Sequence, residues 1–196
     1  MAKKGNTTRR EEIVEVAAKL FKQKGYSATT MRDIAEQVGM EAASMYNHIK
    51  GKDELLSEIC FRISDEYIAQ LTLIETQINA PIDKLSALIR LHIRIVFKDI
   101  NGISVANNEW KHLPEAELIK FKATRRDYET RFAKIIEQGI EKGEINPINV
   151  SVALFTILSA VRWVELWYKS DRDISPEVLE DNIISLLMKG LQKESA

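Results

Sequence analysis

The stretch TMRDIAEQVGMEAASMYNHI, residues 30–49, determines how the first quarter of this chain folds. Apolar side chains recur at helical spacing in its first half: Met31, Ile34, Ala35 and Val38. This spacing predicts a helix over residues 30–38. Gly39 follows directly, and glycine adopts the positive φ that ends many helices at little cost. A second short helix is predicted over residues 41–49, so the pattern indicates two helices joined by a tight turn.

The predicted second helix has a polar outer face. Its outward side chains include Ser44, Tyr46, Asn47 and His48. A short helix presented after such a turn can enter the major groove of DNA. Hydrogen bonds to the base edges in that groove distinguish all four base pairs. We therefore interpret residues 30–49 as a helix-turn-helix.

The flanking residues complete a three-helix unit. An amphipathic helix is predicted from Arg10 to Lys24, ending at Gly25. Thr29 or Thr30 can accept backbone N–H groups at the start of the next helix. After the second helix of the motif, the sequence KGK leads into a long helix that opens at Asp53.

This first quarter resembles the DNA-binding domain of the tetracycline-repressor (TetR) family of bacterial transcription regulators. The resemblance lies in the runs AAKLF (17–21), KGY (24–26), TTMRDIA (29–35), VGM (38–40), MYNHI (45–49) and KDELL (52–56). It implies an all-α fold with a DNA-binding domain at residues 1–52 and a helical effector-binding and dimerisation domain at residues 53–196. It also implies a ligand-responsive repressor that a small effector releases from a palindromic, double-stranded DNA operator.

The expected DNA contacts divide into phosphate contacts and base contacts. Thr30, at a helix N-terminus, is expected to bind phosphate, and the resemblance assigns the same role to Tyr46 and Lys52. The residues expected to read bases are Glu41, Ala42, Ala43, Ser44, Asn47 and His48. Residues 41–49 contain no Arg or Lys for a bidentate guanine contact, so Arg32 or an arm formed by Lys3, Lys4, Arg9 and Arg10 is the alternative reader. Simple packing is the alternative role for Tyr46 and His48.

The rest of the chain predicts further helices and no strand, with about nine helices in all. A break is expected at Asn101-Gly102, and a loop at residues 169–173. The helix predicted at residues 149–168 is apolar nearly all round, and the final helix, at residues 176–191, offers a second apolar stripe. Two such helices from each of two chains predict a four-helix homodimer interface; the alternative is the core of a monomer. A charge at Ile157 or Ile184 is expected to disrupt that interface.

An effector site is expected in the helical body. Its candidate residues are Trp110, Tyr128, Arg162, Trp163 and Trp167, within a wider set of His92, Phe97, His112, Phe121 and Tyr168. The body also resembles a TetR subgroup in which several members sense acyl-coenzyme A thioesters. That likeness implies an acyl chain among the apolar helices, with Arg125, Arg126 or Arg162 on the coenzyme phosphates. The alternatives are a hydrophobic effector without phosphates, or aromatic residues that serve only as core.

Composition limits the other possibilities. The chain has 196 residues and a net charge of −1, but residues 1–52 hold ten Lys and Arg against six Asp and Glu. A mildly basic head on an acidic body suits DNA docking by the head. Cys60 is the single cysteine, which fits a reducing cytoplasm. No apolar run of about eighteen residues is evident, so no membrane partner is expected.

The sequence argues against catalysis. Its three histidines have no metal-ligand spacing, and it contains no nucleophile elbow or phosphate-cradling loop. We therefore expect no enzyme activity, no metal and no cofactor other than an effector. An all-helical interaction adaptor that does not bind DNA is the alternative, and salt-dependent DNA binding would distinguish the two.

Overall fold

The structure, a computed structural model, describes residues 8–168 and 174–191, which form α-helices and no strand. The helices are α1 (Arg9–Lys24), α2 (Met31–Val38), α3 (Ala42–Met45), α4 (Lys52–Gln77), α5 (Pro81–Lys98), α6 (Ile100–Asn108), α7 (Glu115–Glu141), α8 (Val150–Arg162), α9 (Val164–Trp167) and α10 (Pro176–Leu191), with a 3-10 turn at Trp110–His112. Only Trp163 separates α8 from α9. Counted as one, they give nine helices in this part of the chain, which confirms the predicted all-α class. The predicted loop at 169–173 lies outside the described residues.

Side-chain caps fix where the first helices begin. Thr8 and Glu11 form a reciprocal capping box at α1, and Thr30 and Asp33 form another at α2. The sequence left Thr29 and Thr30 open as the cap of α2, and the structure selects Thr30. Thr29 is instead buried, and its hydroxyl donates to the carbonyl of Gly25 at 2.8 Å.

The second helix of the motif is shorter than predicted. α3 ends at Met45, whereas the sequence predicted a helix over residues 41–49. The N–H groups of Asn47 and His48 donate to carbonyls three residues earlier, at 3.2 and 2.9 Å, so the chain tightens into turns. The predicted inward positions hold nevertheless, because Met45 and Ile49 are fully buried.

The predicted break at Asn101-Gly102 was wrong. α5 ends at Lys98, and the backbone turns at Asp99 with φ −149° and ψ 70°. Gly102 lies inside α6 and is buried. The helix tolerates glycine there at a modest cost, which burial of the neighbouring apolar residues offsets.

The described chain divides into two compact units. The first holds the residues up to Asp65 together with Asn101–Ala123, and the second holds Glu66–Ile100 with the residues from Thr124 onward. The helices α4 and α7 each contribute residues to both units. The boundary predicted after residue 52 falls inside the first unit, so it stays a prediction about the division of function.

Each unit has its own apolar core. In the first unit, the buried faces of α1, α2, α3 and α4 supply Phe21, Ile34, Met45 and Leu55, and the turn after α3 adds Ile49. In the second unit, α5 packs against α8, α9 and α10. The first core therefore fixes α3 with its polar side outward.

The turn between α2 and α3 gives a direct test of the backbone argument. Gly39 has φ +73° and ψ 42°, and nothing lies within 4 Å of the position that a Cβ would occupy. We expect Gly39→Ala to lower the free energy of unfolding by about 1 kcal/mol, purely from the left-handed conformation. Gly51 also has open space and has no positive φ, so Gly51→Ala is the control and should be neutral. Urea unfolding measures both, and equal losses would contradict the explanation.

Candidate DNA-binding surface and effector site

The outer face of α3 and the turn after it are open to solvent. Glu41, Ala43, Ser44, Tyr46, Asn47 and His48 are exposed, and Ala42 is half-buried. Tyr46 is 55% exposed, which weighs against packing as its only role. Burial of Met45 and Ile49 beneath this face holds it in place. The structure therefore brings together all the residues predicted to read bases from this helix.

The predicted phosphate site at Thr30 is occupied by a side chain of the same chain. The Thr30 hydroxyl and backbone N–H both donate to an Asp33 carboxylate oxygen at 2.7 Å. These hydrogen bonds from Thr30 lower the pKa of Asp33, because they favour its ionised form. A DNA phosphate at Thr30 would compete with this carboxylate. Arg32, one residue further on, is exposed.

Lys52 has a structural role that the sequence did not reveal. Its ammonium donates to the carbonyls of Tyr26 and Thr29 at 2.8 and 2.9 Å, and lies 4.2 Å from the centre of the Tyr26 ring. Two of its three N–H donors are thus used to hold the turn that precedes α2. The predicted phosphate contact of Lys52 stays a prediction, and it has only one further donor available in this arrangement.

Tyr26 links the helix-turn-helix to the segment after α6. Its ring stacks on His112 with centroids 5.3 Å apart, and its backbone N–H donates to Glu109 at 3.3 Å. Its hydroxyl donates to Asp53, and burial together with this contact raises the pKa of Tyr26. The sequence placed His112 in an effector site, whereas the structure places it against the DNA-binding head.

Arg10 fastens the end of the motif instead of extending as an arm. Its guanidinium donates to the carbonyl of His48 at 2.7 Å and forms ion pairs with Glu54 and Glu58 at 2.7 and 2.6 Å. Arg9 also lies within α1 and pairs with Glu12 at 2.6 Å. The other residues of the predicted arm, Lys3 and Lys4, lie outside the described part of the chain.

An apolar stripe is exposed on α8 and α9. Val152, Phe155, Trp163 and Leu166 recur on one helical face, and each is more than half exposed. On α10, Val178 and Leu186 are exposed as well. Exposed apolar side chains on one helical face are typical of an interaction site. We name Val152, Phe155, Trp163 and Leu166 the apolar stripe.

The structure corrects which residues of α8 belong to that surface. Ile157 is only 1% exposed within its own chain. It therefore belongs to the core of the second unit and not to the apolar stripe. α8 is apolar nearly all round because one face packs inside the chain and another lies at the surface.

The composition of α8 and α9, apolar on both the packed and the exposed face, also explains why this segment resembles a membrane span, which the sequence analysis did not expect. The segment Val150–Trp167 is long and apolar enough to span a membrane by length and composition, with a mean hydropathy of 1.5, although no such run was expected. It is interrupted at Trp163 and carries the buried acid Glu165. Core packing on one side and the apolar stripe on the other account for its composition.

The predicted effector residues fall into separate groups. Trp110 belongs to the first unit, where its ring stacks on Phe121 with centroids 6.2 Å apart. In the second unit, Trp167 contacts Tyr168, which packs on Phe97. Arg162 and Trp163 are exposed, and Trp163 is part of the apolar stripe. Their roles in ligand binding stay predictions.

Tyr128 is buried and belongs to a cluster of polar aromatic side chains. His92 Nε2 and the Tyr128 hydroxyl share a hydrogen bond of 2.9 Å. The Tyr67 ring lies 4.6 Å from His92 and 5.5 Å from Tyr128, between centroids. We name Tyr67, His92 and Tyr128 the tyrosine–histidine cluster. The sequence analysis did not include Tyr67, which lies on α4 and contacts two residues that it did include, His92 and Tyr128.

The surroundings of this cluster disfavour charge. Burial lowers the pKa of His92 to about 3 and raises the pKa values of Tyr67 and Tyr128. His92 is therefore neutral near pH 7. In the unfolded chain its pKa lies near ~6.5. As the pH falls below that value, the unfolded chain takes up a proton that the folded chain does not, so the free energy of unfolding decreases.

The described residues contain no group of three or more His, Cys, Asp or Glu side chains placed to hold a metal. Cys60 is fully buried, and burial raises the pKa of its thiol to about 12. The thiol is thus protonated and inert at neutral pH. The class of the protein follows from other features: α2 and α3, joined by the left-handed turn at Gly39, present an exposed polar face as in a helix-turn-helix DNA-binding regulator.

Comparison with known proteins places the chain more narrowly. Residues 13–59 match the family described as bacterial regulatory proteins of the tetR family, and residues 79–191 match the tetracyclin repressor-like C-terminal domain. The transcriptional repressor KstR2 of Mycolicibacterium smegmatis is 24% identical over 186 residues, which cover 94% of this chain and 91% of the relative. The chain belongs to the TetR family.

Solved structures agree with this placement. The ketosteroid transcriptional regulator KstR2 of Mycobacterium tuberculosis has the same fold, with a TM-score of 0.92 at 22% identity, over 97% of this chain and 98% of that one. AibR, solved with isovaleryl coenzyme A and operator DNA, gives a TM-score of 0.82 at 27% identity, over 92% of this chain and 98% of that one. The protein is a DNA-binding transcriptional regulator and not an enzyme. Regulators of this family bind operator DNA as dimers and respond to small-molecule effectors, which confirms the predicted partners.

Proposed function

We propose that this protein is a cytoplasmic, homodimeric repressor that an acyl-coenzyme A thioester releases from a palindromic operator. The observation that carries the proposal is the similarity to AibR, whose structure holds an acyl-coenzyme A and operator DNA together. The similarity covers nearly the whole chain, so it includes both the head and the body. The exposed polar face of α3 supplies the operator contacts of the proposal.

The chemistry of the body supports an amphipathic effector. Its second unit is built from apolar helices around a cluster of aromatic side chains. Apolar walls with a few polar groups are typical of small-molecule sites. Arginines such as Arg125, Arg126 and Arg162 offer the charge that coenzyme phosphates require.

The apolar stripe supplies the dimer contact of the proposal. A twofold axis brings the same surface of both chains together, so each residue of the stripe is covered in both protomers. Two heads then meet two half-sites spaced about one turn of DNA apart or a little more. The final helix, residues 176–191, adds its exposed Val178 and Leu186 to this surface.

We propose a population shift as the mechanism of release. The dimer alternates between a head arrangement that fits both half-sites and one that does not, and the effector binds the second arrangement better. The helices α4 and α7 each contribute residues to both units. In this mechanism, effector binding shifts one end of these helices and so alters the unit that holds the other end. Tyr26, held by Lys52 and stacked on His112, ties the motif to the segment after α6.

A conservative change at Tyr46 tests the phosphate contact. Tyr46→Phe removes one exposed hydroxyl and should weaken operator binding by about 1–2 kcal/mol, because a hydrogen bond to a charged phosphate is lost. The loss should be similar for operator and for unrelated DNA, since phosphates carry no sequence information. Fluorescence anisotropy with both DNAs measures it. A changed base preference at unaltered overall affinity would show that Tyr46 reads bases.

Operator release tests the effector class. Labelled operator bound to the protein is titrated with octanoyl-coenzyme A, with octanoate and with free coenzyme A, and fluorescence anisotropy reports the bound fraction. We expect octanoyl-coenzyme A to release the DNA at lower concentration than either fragment, because it satisfies both the apolar body and the arginines. Equal potency of octanoate would exclude phosphate recognition. No release by any of the three compounds would reject the acyl-coenzyme A class.

A further inference from the structure

The tyrosine–histidine cluster contains hydrogen-bonding groups that the fold itself does not need. Its three side chains come from three helices of the second unit: Tyr67 from α4, His92 from α5 and Tyr128 from α7. Phe132 closes one side, with its ring 6.1 Å from Tyr128. An apolar residue at each position would pack as well and would cost no desolvation. Three polar groups converging in one core therefore call for a reason other than stability.

The hydroxyl of Tyr67 makes no hydrogen bond within the described residues, and its side chain keeps part of its surface accessible. His92 is also only partly buried by surface area, whereas Phe132 beside it is completely covered. Yet burial lowers the pKa of His92 strongly, which indicates surroundings of low dielectric constant. We name the accessible surface of Tyr67 and His92, beside the buried Phe132, the recess.

Charges around the cluster disfavour an anion. Glu165 is only 5% exposed, and its carboxylate is close enough to raise the pKa of Tyr67. The charge of Arg131 acts to lower the pKa of Tyr128, but its guanidinium is bound to Glu75 and to Thr72, the latter at 2.8 Å. A second carboxylate brought into this recess would lose its hydration and meet Glu165. A neutral ligand group avoids both the loss of charge hydration and the repulsion by Glu165.

The hydroxyl groups suit one chemical class of acceptor. When His92 Nε2 carries the proton, it donates to the Tyr128 oxygen, and the Tyr128 hydroxyl proton is then available to a ligand. Tyr67 offers a second hydroxyl proton on the same recess. Two phenol donors match the two lone pairs of a carbonyl oxygen. We propose that Tyr67 and Tyr128, the latter positioned by His92, bind the neutral carbonyl oxygen of the effector and reject the carboxylate of the corresponding free acid.

This inference rests on the proposed small-molecule control, and it specifies which part of the effector is recognised. Isothermal titration calorimetry with octanoyl-coenzyme A and its thioether analogue octyl-coenzyme A isolates the carbonyl, because the two probes differ only there. The wild-type protein should bind the thioester roughly tenfold more tightly than the thioether, which is the loss expected for about one or two hydrogen bonds. Tyr67→Phe and Tyr128→Phe should each reduce that preference to less than about threefold.

The control is Thr76→Val, which removes a hydroxyl that donates to the carbonyl of Thr72 at 2.9 Å, outside the cluster. It should leave the preference unchanged. If Tyr67→Phe and Tyr128→Phe weaken both probes equally, the hydroxyls act in packing and the inference is wrong. A wild-type protein that does not distinguish the two probes would also overturn it.

A second pair of probes separates this inference from the choice of effector. The ketone 2-decanone and the carboxylate decanoate lack coenzyme A, and the inference predicts that the ketone binds at least tenfold more tightly. If the ketone shows this preference and Tyr67→Phe abolishes it while octanoyl-coenzyme A fails to bind, then the effector class is wrong and the carbonyl site is supported. Tighter binding of decanoate, or no binding of any of the four probes, would overturn the carbonyl site.

Discussion

Phe155→Glu should convert the dimer into monomers and reduce operator affinity by at least a hundredfold. Phe155 lies in the middle of the apolar stripe and is 52% exposed in the single chain. Twofold symmetry would bury both introduced carboxylates, each without a partner, at a cost of several kcal/mol. A monomer keeps one head and loses the second half-site. Light scattering coupled to size exclusion gives the mass, and anisotropy gives the affinity.

Ile119→Glu is the matched control for this prediction. Ile119 is even more exposed, at 64%, but it lies on α7 in the first unit and is not a residue of the apolar stripe. The variant should remain dimeric and bind operator like the wild type, apart from a small effect of the added charge. A dimeric Phe155→Glu protein with unchanged affinity would place the interface elsewhere.

Asn47→Asp should abolish detectable operator binding without unfolding the head. Asn47 is exposed in the turn after α3, and the two side chains have nearly the same shape. The new carboxylate would face the phosphates and base edges at close range and lose its hydration there. The base contact of the amide, worth about 1–3 kcal/mol, is lost as well. We expect at least a hundredfold loss of affinity, measured at low and at physiological salt because screening weakens the repulsion.

The control for Asn47→Asp is the same substitution at Asn79, an exposed residue just before α5. It changes the net charge equally and should leave operator binding within about twofold, since long-range charge effects are screened. Circular dichroism of both variants should match the wild type. A loss of affinity as large in Asn79→Asp would mean that net charge and not position is responsible.

Local rules predicted most of the DNA-binding head. Apolar spacing placed α1 and α2, Gly25 and Gly39 were expected at their C-terminal ends, and Thr30 was one of two expected caps of α2. The same reasoning extended α3 too far, because residues 46–49 keep helical apolar spacing while their backbone closes into turns. The spacing of apolar residues alone cannot show whether the helix after Gly39 has one turn or two.

Long-range partners could not be predicted from the sequence. Arg10 reaches Glu54 and Glu58 across more than forty residues. Lys52 is held by the carbonyls of an earlier turn, and neither contact leaves a periodic signal. Each contact gives a structural role to a basic residue for which the sequence suggested only a DNA contact.

The body shows the same limit. Its helices followed from apolar runs, but the direction that each aromatic side chain faces depends on tertiary packing. Tyr128 and His92 share one cluster, whereas Trp163 lies on the apolar stripe and Trp110 belongs to the other unit. The type of residue alone therefore could not show which aromatic side chains lie in the core, in the recess or at the surface.

Selection of binding sites from a random DNA library tests the central claim most directly. The wild-type dimer should enrich an inverted repeat whose half-sites lie about one turn of DNA apart or a little more, with affinity that falls steeply as salt rises. Phe155→Glu should enrich no more than a single half-site. Failure of the wild-type protein to enrich any sequence, or enrichment of an unpaired site by a proven dimer, would contradict a symmetric helix-turn-helix repressor.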